Sequence, residues 1–306
     1  MTDKIIEIAV LLTCFNRKVK TIKALRSLYD ASKKYKERSD NHVISLTVFL
    51  TDDGSTDGTA EAVKSAFEDK DINIVQADGN AFWAGGMRLA WKEAYKAHPK
   101  WDFYLLINDD AVFAETAFDE LVTCDEYSQS TYNQSGVYTG FIADEEDHAH
   151  VIYGAKVYKK SILSRTYDMQ PTGTPQPCMF TNANFLAVSK EAVDKIGLLD
   201  EAYYHGGADW DYGMRASLAG IPVLTTCGVC GYSTYDHDSI KQESDKVIKM
   251  SLSERRAFLL KPQREYHDAF VFLAKFDKPK YYIMKVAYIL NLYTPRLYYF
   301  LSNLRP

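Results

Sequence analysis

Four short segments hold most of the side chains that could do chemistry. They are Thr13-Cys14-Phe15-Asn16-Arg17, Thr51-Asp52-Asp53-Gly54-Ser55-Thr56-Asp57-Gly58-Thr59, Asn108-Asp109-Asp110, and a longer run from Tyr203 to Arg215 that contains Asp209 and Asp211. Asp52 can accept a hydrogen bond from a base N–H or a ribose hydroxyl. Gly54 and Gly58 permit tight turns, and Ser55, Thr56 or Asp57 can cap a following helix, so this segment also fits an ordinary strand–turn–helix connection. Adjacent carboxylates at Asp109 and Asp110 repel each other unless a cation or hydrogen-bond donors lie close. A divalent ion answers that repulsion, and hard oxygen ligands suit Mg²⁺ or Mn²⁺ with a diphosphate supplying further oxygens. In isolation the same pair would read as a solvated turn. A carboxylate at Asp209 can take the proton of an attacking hydroxyl, or cap the helix it opens. Asp211 is the reserve for that proton, or the partner of Arg215 four residues on.

The elements that position these segments follow from hydrophobic period. Ile5–Thr13 is a continuous apolar run, as in a strand buried on both faces. Val19–Tyr35 has helical spacing, Ile44–Thr51 reads as a strand, Thr59–Phe67 as a short helix and Ile72–Gln76 as a strand. Ala84–Ala97 is a helix closed by Pro99, and Trp101–Ile107 is a fourth strand ending at the acidic pair. This alternation predicts an α/β fold with a mainly parallel central sheet and helices on both faces. Ligands on such sheets sit beyond the carboxyl ends of the strands, where the first three motifs fall. From 137 to 181 short strands and turns are expected. They are followed by a strand over Asn182–Ser189, a short helix, a helix over Asp209–Ala219 and a strand over Ile221–Thr225. After about Ser239 the chain turns helical, basic and aromatic, so residues 1–240 are expected as the catalytic domain and 241–306 as a helical C-terminal region.

Composition bounds the function. The chain has 306 residues, 46% apolar and 25% charged, ordinary for a globular enzyme. A formal charge of −5 argues against a general nucleic-acid binder. Five cysteines, with no export signal ahead of them, point to a reducing cytoplasm. Cys227 and Cys230 have the CxxC spacing of a zinc or redox site, but no second pair exists, and two small side chains in a buried strand serve as well.

Together the motifs resemble the family 2 glycosyltransferases with the GT-A fold. In that family the first strand ends in a Thr/Asn/Arg segment, the second in DDGSxD and the fourth in a DxD-type motif. Here these are Thr13–Arg17, Asp52–Asp57 and Asn108–Asp110, with Asn108 in place of the first acid. The resemblance implies transfer of a sugar from a nucleoside diphosphate sugar, with Mn²⁺ or Mg²⁺. It puts Thr13, Phe15, Asn16 and Arg17 at the nucleotide, Asp52 on the base (most often uracil or thymine), Asp109 near the ribose or metal waters, and Asp110 on the metal. The stretch from Asp78 to Arg88 is similar to an asparagine- and glycine-rich segment of rhamnosyltransferase-like and capsule-building members. There Asn80 and Gly86 would meet the nucleotide, Arg88 would pair with phosphate or lie at the surface, and the helix start would favour the anionic diphosphate. The Asp209 segment resembles the acidic EDxDxxxR motif, with Ala208 in place of the usual Glu, and aligns Asp209 with the catalytic base of an inverting reaction. Trp83, Asn182 and Trp210 are the candidates for the sugar and acceptor, and His237 for an added metal ligand.

Lys278–Arg305 is rich in Tyr, Ile and Leu with basic residues interspersed, and Lys285, Asn291, Pro295 and Arg296 break any run of the roughly 20 residues needed to span a bilayer. It suits an amphipathic helix at a membrane surface, or a helix packed on the catalytic domain or on a second subunit of a homodimer. A membrane surface would fit a lipid-linked glycan acceptor, as in surface polysaccharide assembly. Two other functions stay open: a nucleotidyltransferase that makes the sugar nucleotide, and a non-catalytic nucleotide-sugar-binding protein.

Overall fold

The computed structural model describes residues 4–98, 100–159, 165–234, 240–261 and 265–302. The chain begins β1 (Lys4–Cys14), α1 (Lys18–Arg38), β2 (His42–Asp52), α2 (Thr59–Ala66), β3 (Ile72–Gln76), α3 (Phe82–Ala97) and β4 (Phe103–Ile107), the alternation that the hydrophobic period predicts. It continues through β5 (Val112–Phe113), α4 (Ala117–Tyr132), β6 (Val137–Asp144), β7 (Val151–Tyr153), β8 (Lys156–Lys159), β9 (Arg165–Asp168), β10 (Phe185–Ser189), α5 (Lys190–Ile196), α6 (Ala208–Leu218) and β11 (Val223–Ser233). Five helices follow: α7 (Ile240–Lys249), α8 (Leu252–Leu259), α9 (Glu265–Phe276), α10 (Lys278–Tyr293) and α11 (Pro295–Ser302).

The main sheet has the order β3-β2-β1-β4-β10-β6-β11-β5, with β7 on β6. It is parallel from β3 to β4, turns antiparallel on both sides of β10, and becomes parallel again between β6 and β11. The sheet is therefore mixed, with its parallel part on the side of the first three motifs. Reversal at β10 brings the turn before it, residues 182–184, to the edge where β4 ends, because Phe185 pairs with Ile107. Strand β11 is longer than the stretch expected from Ile221–Thr225, since it continues through register shifts to Ser233.

Strand β1 shows why the sheet is covered on both faces. Ile6, Ile8, Val10 and Leu12 pack with Ala24, Leu25 and Leu28 of α1, while Ala9 and Leu11 pack with Ala84, Met87, Ala90 and Trp91 of α3. Successive side chains point to opposite faces, so a continuous apolar run is what such a strand needs. Helix α3 lies close because its inner face is small. A Cβ on Gly86 would come within 2.2 Å of the Thr13 hydroxyl oxygen.

The C-terminal helices have a core of their own, Val247, Phe258, Leu259, Leu292 and Tyr299. Buried Arg255 ties it together by donating to the carbonyls of Val247 (3.2 Å), Leu292 (2.5 Å) and Met250 (2.6 Å). Helix α9 faces both ways. Its Tyr266 packs on this third core, whereas Val271 and Phe272 pack on the core between the main sheet and α3. Among the described residues no helix is long and apolar enough to cross a membrane.

Candidate active site

At the end of β1 the backbone turns through Asn16, whose φ is +53°. Asparagine tolerates this left-handed conformation better than most residues. Its side-chain oxygen accepts from the Thr56 amide (2.8 Å), and its own amide donates to Ser55 Oγ (3.0 Å), which locks the first motif onto the second. Phe15 stands exposed beside this junction. Thr13 is half-buried and lies against α3 at Gly86, whose carbonyl accepts from Thr51. Gly86 is therefore small because helix and strand approach closely there.

The two aspartates of the second motif divide their work. Asp52 is buried at the strand end, with Oδ1 accepting from the Ser55 amide (2.9 Å) and Oδ2 meeting Gln76 Nε2 only at 3.5 Å. One face of its carboxylate is thus left for an N–H donor. Asp53, also buried, accepts from the amides of Gly79 (3.0 Å), Ala81 (3.1 Å) and Phe82 (2.9 Å). This carboxylate, and not a diphosphate as the resemblance implies, takes the amides at the start of α3. Asn80 lies exposed in the same loop, its amide bonded to Asp78. Arg88 is turned away from the nucleotide end as well: its Nη1 donates to the carbonyls of Asp200 and Tyr203, both at 2.9 Å. Its task here is to hold the loop that precedes α6.

The acidic pair after β4 is the electrostatic centre. Arg17 Nη1 bridges Asp109 Oδ1 (3.0 Å) and Asp110 Oδ2 (2.7 Å). Asp109 is buried, and among the described residues its Oδ2 has no hydrogen-bond partner. Burial pushes its carboxyl up to about 6, against the pull of Arg17 and with the help of Asp110. A buried carboxylate oxygen left without a donor is costly, and a cation or a hydroxyl supplied by a ligand would satisfy it. The residues fit a hard divalent ion on that ground. Among the described residues no three acidic, His or Cys side chains form a cluster that could hold a metal alone, so donor phosphate oxygens would have to complete the shell. Ser233, at the end of β11, contacts the Asp110 carbonyl at 3.4 Å. His237 lies outside the described residues.

A chain of amides explains Asn108 in place of an acid. Trp83 Nε1 donates to Asn108 Oδ1 (2.8 Å), Asn108 Nδ2 to Asn184 Oδ1 (2.9 Å), and Asn184 Nδ2 to Asn182 Oδ1 (2.7 Å). A carboxylate at 108 could accept from Trp83 but could not donate to Asn184. Asn182 and Trp83, both expected at the sugar, thus form the two ends of one polar floor. Between Asn182 and Asn184, the Ala183 amide donates to Asp209 Oδ2 (3.2 Å), and Asp209 Oδ1 accepts from the Trp210 amide (2.9 Å). Asp209 keeps some exposure, yet the protein around it pushes its carboxyl up to about 6, opposed by these two amides. Trp210 packs edge-on to Phe180 and Phe272.

Asp211 has a different fate. It is fully buried and accepts from Arg215 Nε (2.6 Å), Lys275 Nζ (2.7 Å) and the Tyr203 hydroxyl (3.1 Å). Two cations and a hydroxyl thus hold this carboxylate, and the pairing with Arg215 that the four-residue spacing offers is present. His205, absent from the expected set, lines the same loop; surrounding protein and the charge of Arg17 lower its imidazole pKa, against Asp268.

A family model described as "Glycosyl transferase family 2" matches residues 9–195. The chain belongs to this family. The matched segment carries the first three motifs and ends before Asp209. No curated protein matches the chain. Among solved structures, TarS of S. aureus is similar at 14% identity and a TM-score of 0.52, over 81% of this chain and 41% of TarS, so the chain spans less than half of that protein. TarS 1-349 in complex with UDP aligns at 15% identity and TM-score 0.54, over 97% of this chain and 92% of that one. The mannosyltransferase PcManGT from Pyrobaculum calidifontis, in complex with GDP-Man and Mn2+, aligns at 15% identity and TM-score 0.52, over 97% and 83%. At these identities the likeness establishes the fold, which is the GT-A fold of glycosyltransferases.

Proposed function

We propose that this family 2 protein is an inverting glycosyltransferase that moves a sugar from a UDP- or dTDP-sugar to an acceptor hydroxyl. The observation that carries the reading is the buried, partnerless oxygen of Asp109 beside Asp110, at the carboxyl end of the parallel strands. Complexes of the structural neighbours, UDP-GlcNAc with TarS 1-349 and GDP-Man with PcManGT, support a nucleotide-sugar ligand. Asp52 would accept from the imide N–H of a pyrimidine base, Asp109 would meet the ribose or metal-bound water, and Asp110, with His237, would hold a divalent ion. When bound, that ion would stabilise the charge of the leaving diphosphate. Asp209 takes the proton of the acceptor hydroxyl. The acceptor oxygen then bonds to the anomeric carbon from the face opposite the diphosphate, which leaves with the electron pair of the broken C–O bond. Ionised Asp209 is held ready for this by two backbone amides, and its raised pKa makes it a better base than an exposed aspartate.

The acceptor we propose is a lipid-linked glycan of cell-surface polysaccharide assembly, capsule included, reached from the cytoplasmic side. Its five free cysteines fit a reducing compartment. Tyr282, Val286, Ile289, Tyr293, Leu297 and Phe300 recur at helical spacing along α10 and α11, and each is 47–65% exposed. The same two helices carry Lys278, Lys280, Lys285 and Arg296 and no acidic residue, although the whole chain is net negative. An apolar stripe with basic flanks suits an anionic bilayer surface.

The test is turnover. Incubated with Mn²⁺ and a panel of nucleotide sugars, the protein should release nucleoside diphosphate from one of them, while Asp209→Asn should keep nucleotide binding and lose turnover by 10²-fold or more, roughly the range for general-base catalysis. Wild-type turnover in Asp209→Asn would remove Asp209 as the base. Pyrophosphate release from a nucleoside triphosphate would replace the whole reading with nucleotidyl transfer.

A further inference from the structure

Three consecutive amides upstream of the proposed base converge on one carboxylate from the C-terminal region. Asp268 of α9 is buried and accepts from the amides of Tyr204 (3.2 Å), His205 (2.8 Å) and Gly206 (2.9 Å). Successive N–H groups pointing at one anion form a nest, a geometry that fixes the backbone conformation presenting them. Its Oδ1 also meets His267 Nδ1 at 2.8 Å, and the His267 ring lies against Tyr204 at 4.5 Å between centroids. Two turns along the same helix, Lys275 Nζ donates to Asp211 Oδ1 and Asp200 Oδ2, both at 2.7 Å, and sits 4.8 Å from the centre of the Tyr203 ring. Between these anchors Phe272 packs on Trp210 and Phe180. Residues 268, 272 and 275 recur at i, i+4 and i+7, so one face of α9 makes every one of these contacts.

The gripped segment runs from Asp200 through the first turn of α6, and Asp209 lies inside it. Gly207, with φ of +76°, turns the chain from the clasped amides into α6. Among the described residues nothing else bonds to those three amides, and three charge-assisted bonds to a buried carboxylate make a stiff support. The family model ends at residue 195, so both the clasp and the loop it holds lie beyond the matched part of the chain.

We propose that Asp268 and Lys275 are positioning residues for the transfer reaction: α9 clamps the 200–207 loop at both ends and thereby sets the orientation of Asp209 toward the acceptor. The C-terminal region is then a working part of the catalytic unit. The proposal rests on the glycosyltransferase reading for its kinetic arm only.

Its test uses the full chain with Asp268→Asn, Asp268→Glu and Lys275→Met. Hydrogen exchange at the amides of 204–206, followed by mass spectrometry or NMR, should show protection in the wild type that falls in Asp268→Asn. With the nucleotide sugar that the panel identifies, Asp268→Asn and Lys275→Met should each lower kcat, toward 10²-fold where the carboxylate moves by roughly 1 Å. The KM for donor and the Kd for nucleotide should stay within about twofold, because the hydrogen bonds of both side chains go to residues 200, 204–206, 211 and 267 and not to Asp52, Asp109 or Arg17. Asp268→Glu should recover part of the loss. Because both anchors hold one loop, losses in the double variant should fall short of the product of the single ones. Unchanged exchange at 204–206, or variants that lose only thermal stability and keep kcat well below their melting temperature, would overturn the proposal. Absence of wild-type turnover on any sugar nucleotide would instead count against the function reading, and the exchange arm would still decide the clasp.

Discussion

At the scale of single residues, charge is arranged so that each carboxylate has a distinct state. Asp211 is neutralised by two cations and a hydroxyl, Asp53 by three amides, and both are structural. Asp109 and Asp209 are the two acids near the motifs whose carboxyls burial lifts to about 6. Perturbed acids of this kind mark sites where a ligand or a reaction changes the local charge. The sign for activity follows directly. Asp209 must be ionised to accept a proton, so kcat should rise roughly tenfold per pH unit below its pKa and level off above about 6. Asp109 should show itself separately, as donor affinity that weakens below about 6 because its protonated form attracts a cation less. A pH series read as kcat and as donor KM separates the two, and a flat kcat between about pH 4.5 and pH 7 would contradict the role given to Asp209.

Elements set the distances that these residues need. Helix α3 can lie on the end of β1 because Gly86 has no side chain, and the same approach packs Thr13 beneath it. Gly86→Ala places a methyl 2.2 Å from Thr13 Oγ1, so helix and strand must separate. Overpacking of this sort costs about 1–3 kcal/mol. The expected result is a lower denaturation midpoint in urea with an unchanged slope, together with weaker nucleotide binding, because Thr13 and Phe82 frame the first two motifs. Pairing Gly86→Ala with Thr13→Ala, which removes the hydroxyl oxygen at 2.2 Å while leaving Cβ at 2.7 Å, should return part of the stability. Helix α4, by contrast, meets the Cys227–Cys230 segment, where Glu120 accepts from the amides of Cys227 and Gly228. Its buried Phe118, Leu121 and Cys124 close the opposite core, and the sequence reading assigned no element there because Thr, Ser and Asp dilute its apolar stripe.

For the molecule as a whole, the decisive feature is that the C-terminal helices are joined to the catalytic sheet by α9 and present α10 and α11 outward. The loop that carries Asp209 and the exposed apolar stripe of α10 and α11 therefore belong to one connected unit. Sedimentation with vesicles containing anionic lipid should carry the wild type down. Tyr282→Ser, Val286→Ser and Tyr293→Ser together should weaken that binding by on the order of tenfold or more, since burying each large apolar side chain contributes about 1.5–3 kcal/mol. These residues are exposed, so the variant should keep its fold and its turnover on a soluble donor. No vesicle binding with concentration-dependent dimers in light scattering would assign the stripe to a second copy of the chain.

What the sequence determined by itself was local. Strand–helix alternation, the four motifs and their place at strand ends were legible because side-chain period and turn chemistry act over a few residues. The family resemblance followed from those same segments, and the family match carries the first three. Tertiary structure decided what depends on partners far along the chain. It gave Asp53 to the start of α3, Arg88 to the carbonyls of 200 and 203, and Asp211 to Arg215 and Lys275. It also reversed the sheet at β10, which brings Asn184 to Asn108 and Ala183 to Asp209. Asp268 has no local signature at all, since a carboxylate in an aromatic helix gains its meaning only when the loop 64 residues before it folds back to donate three amides.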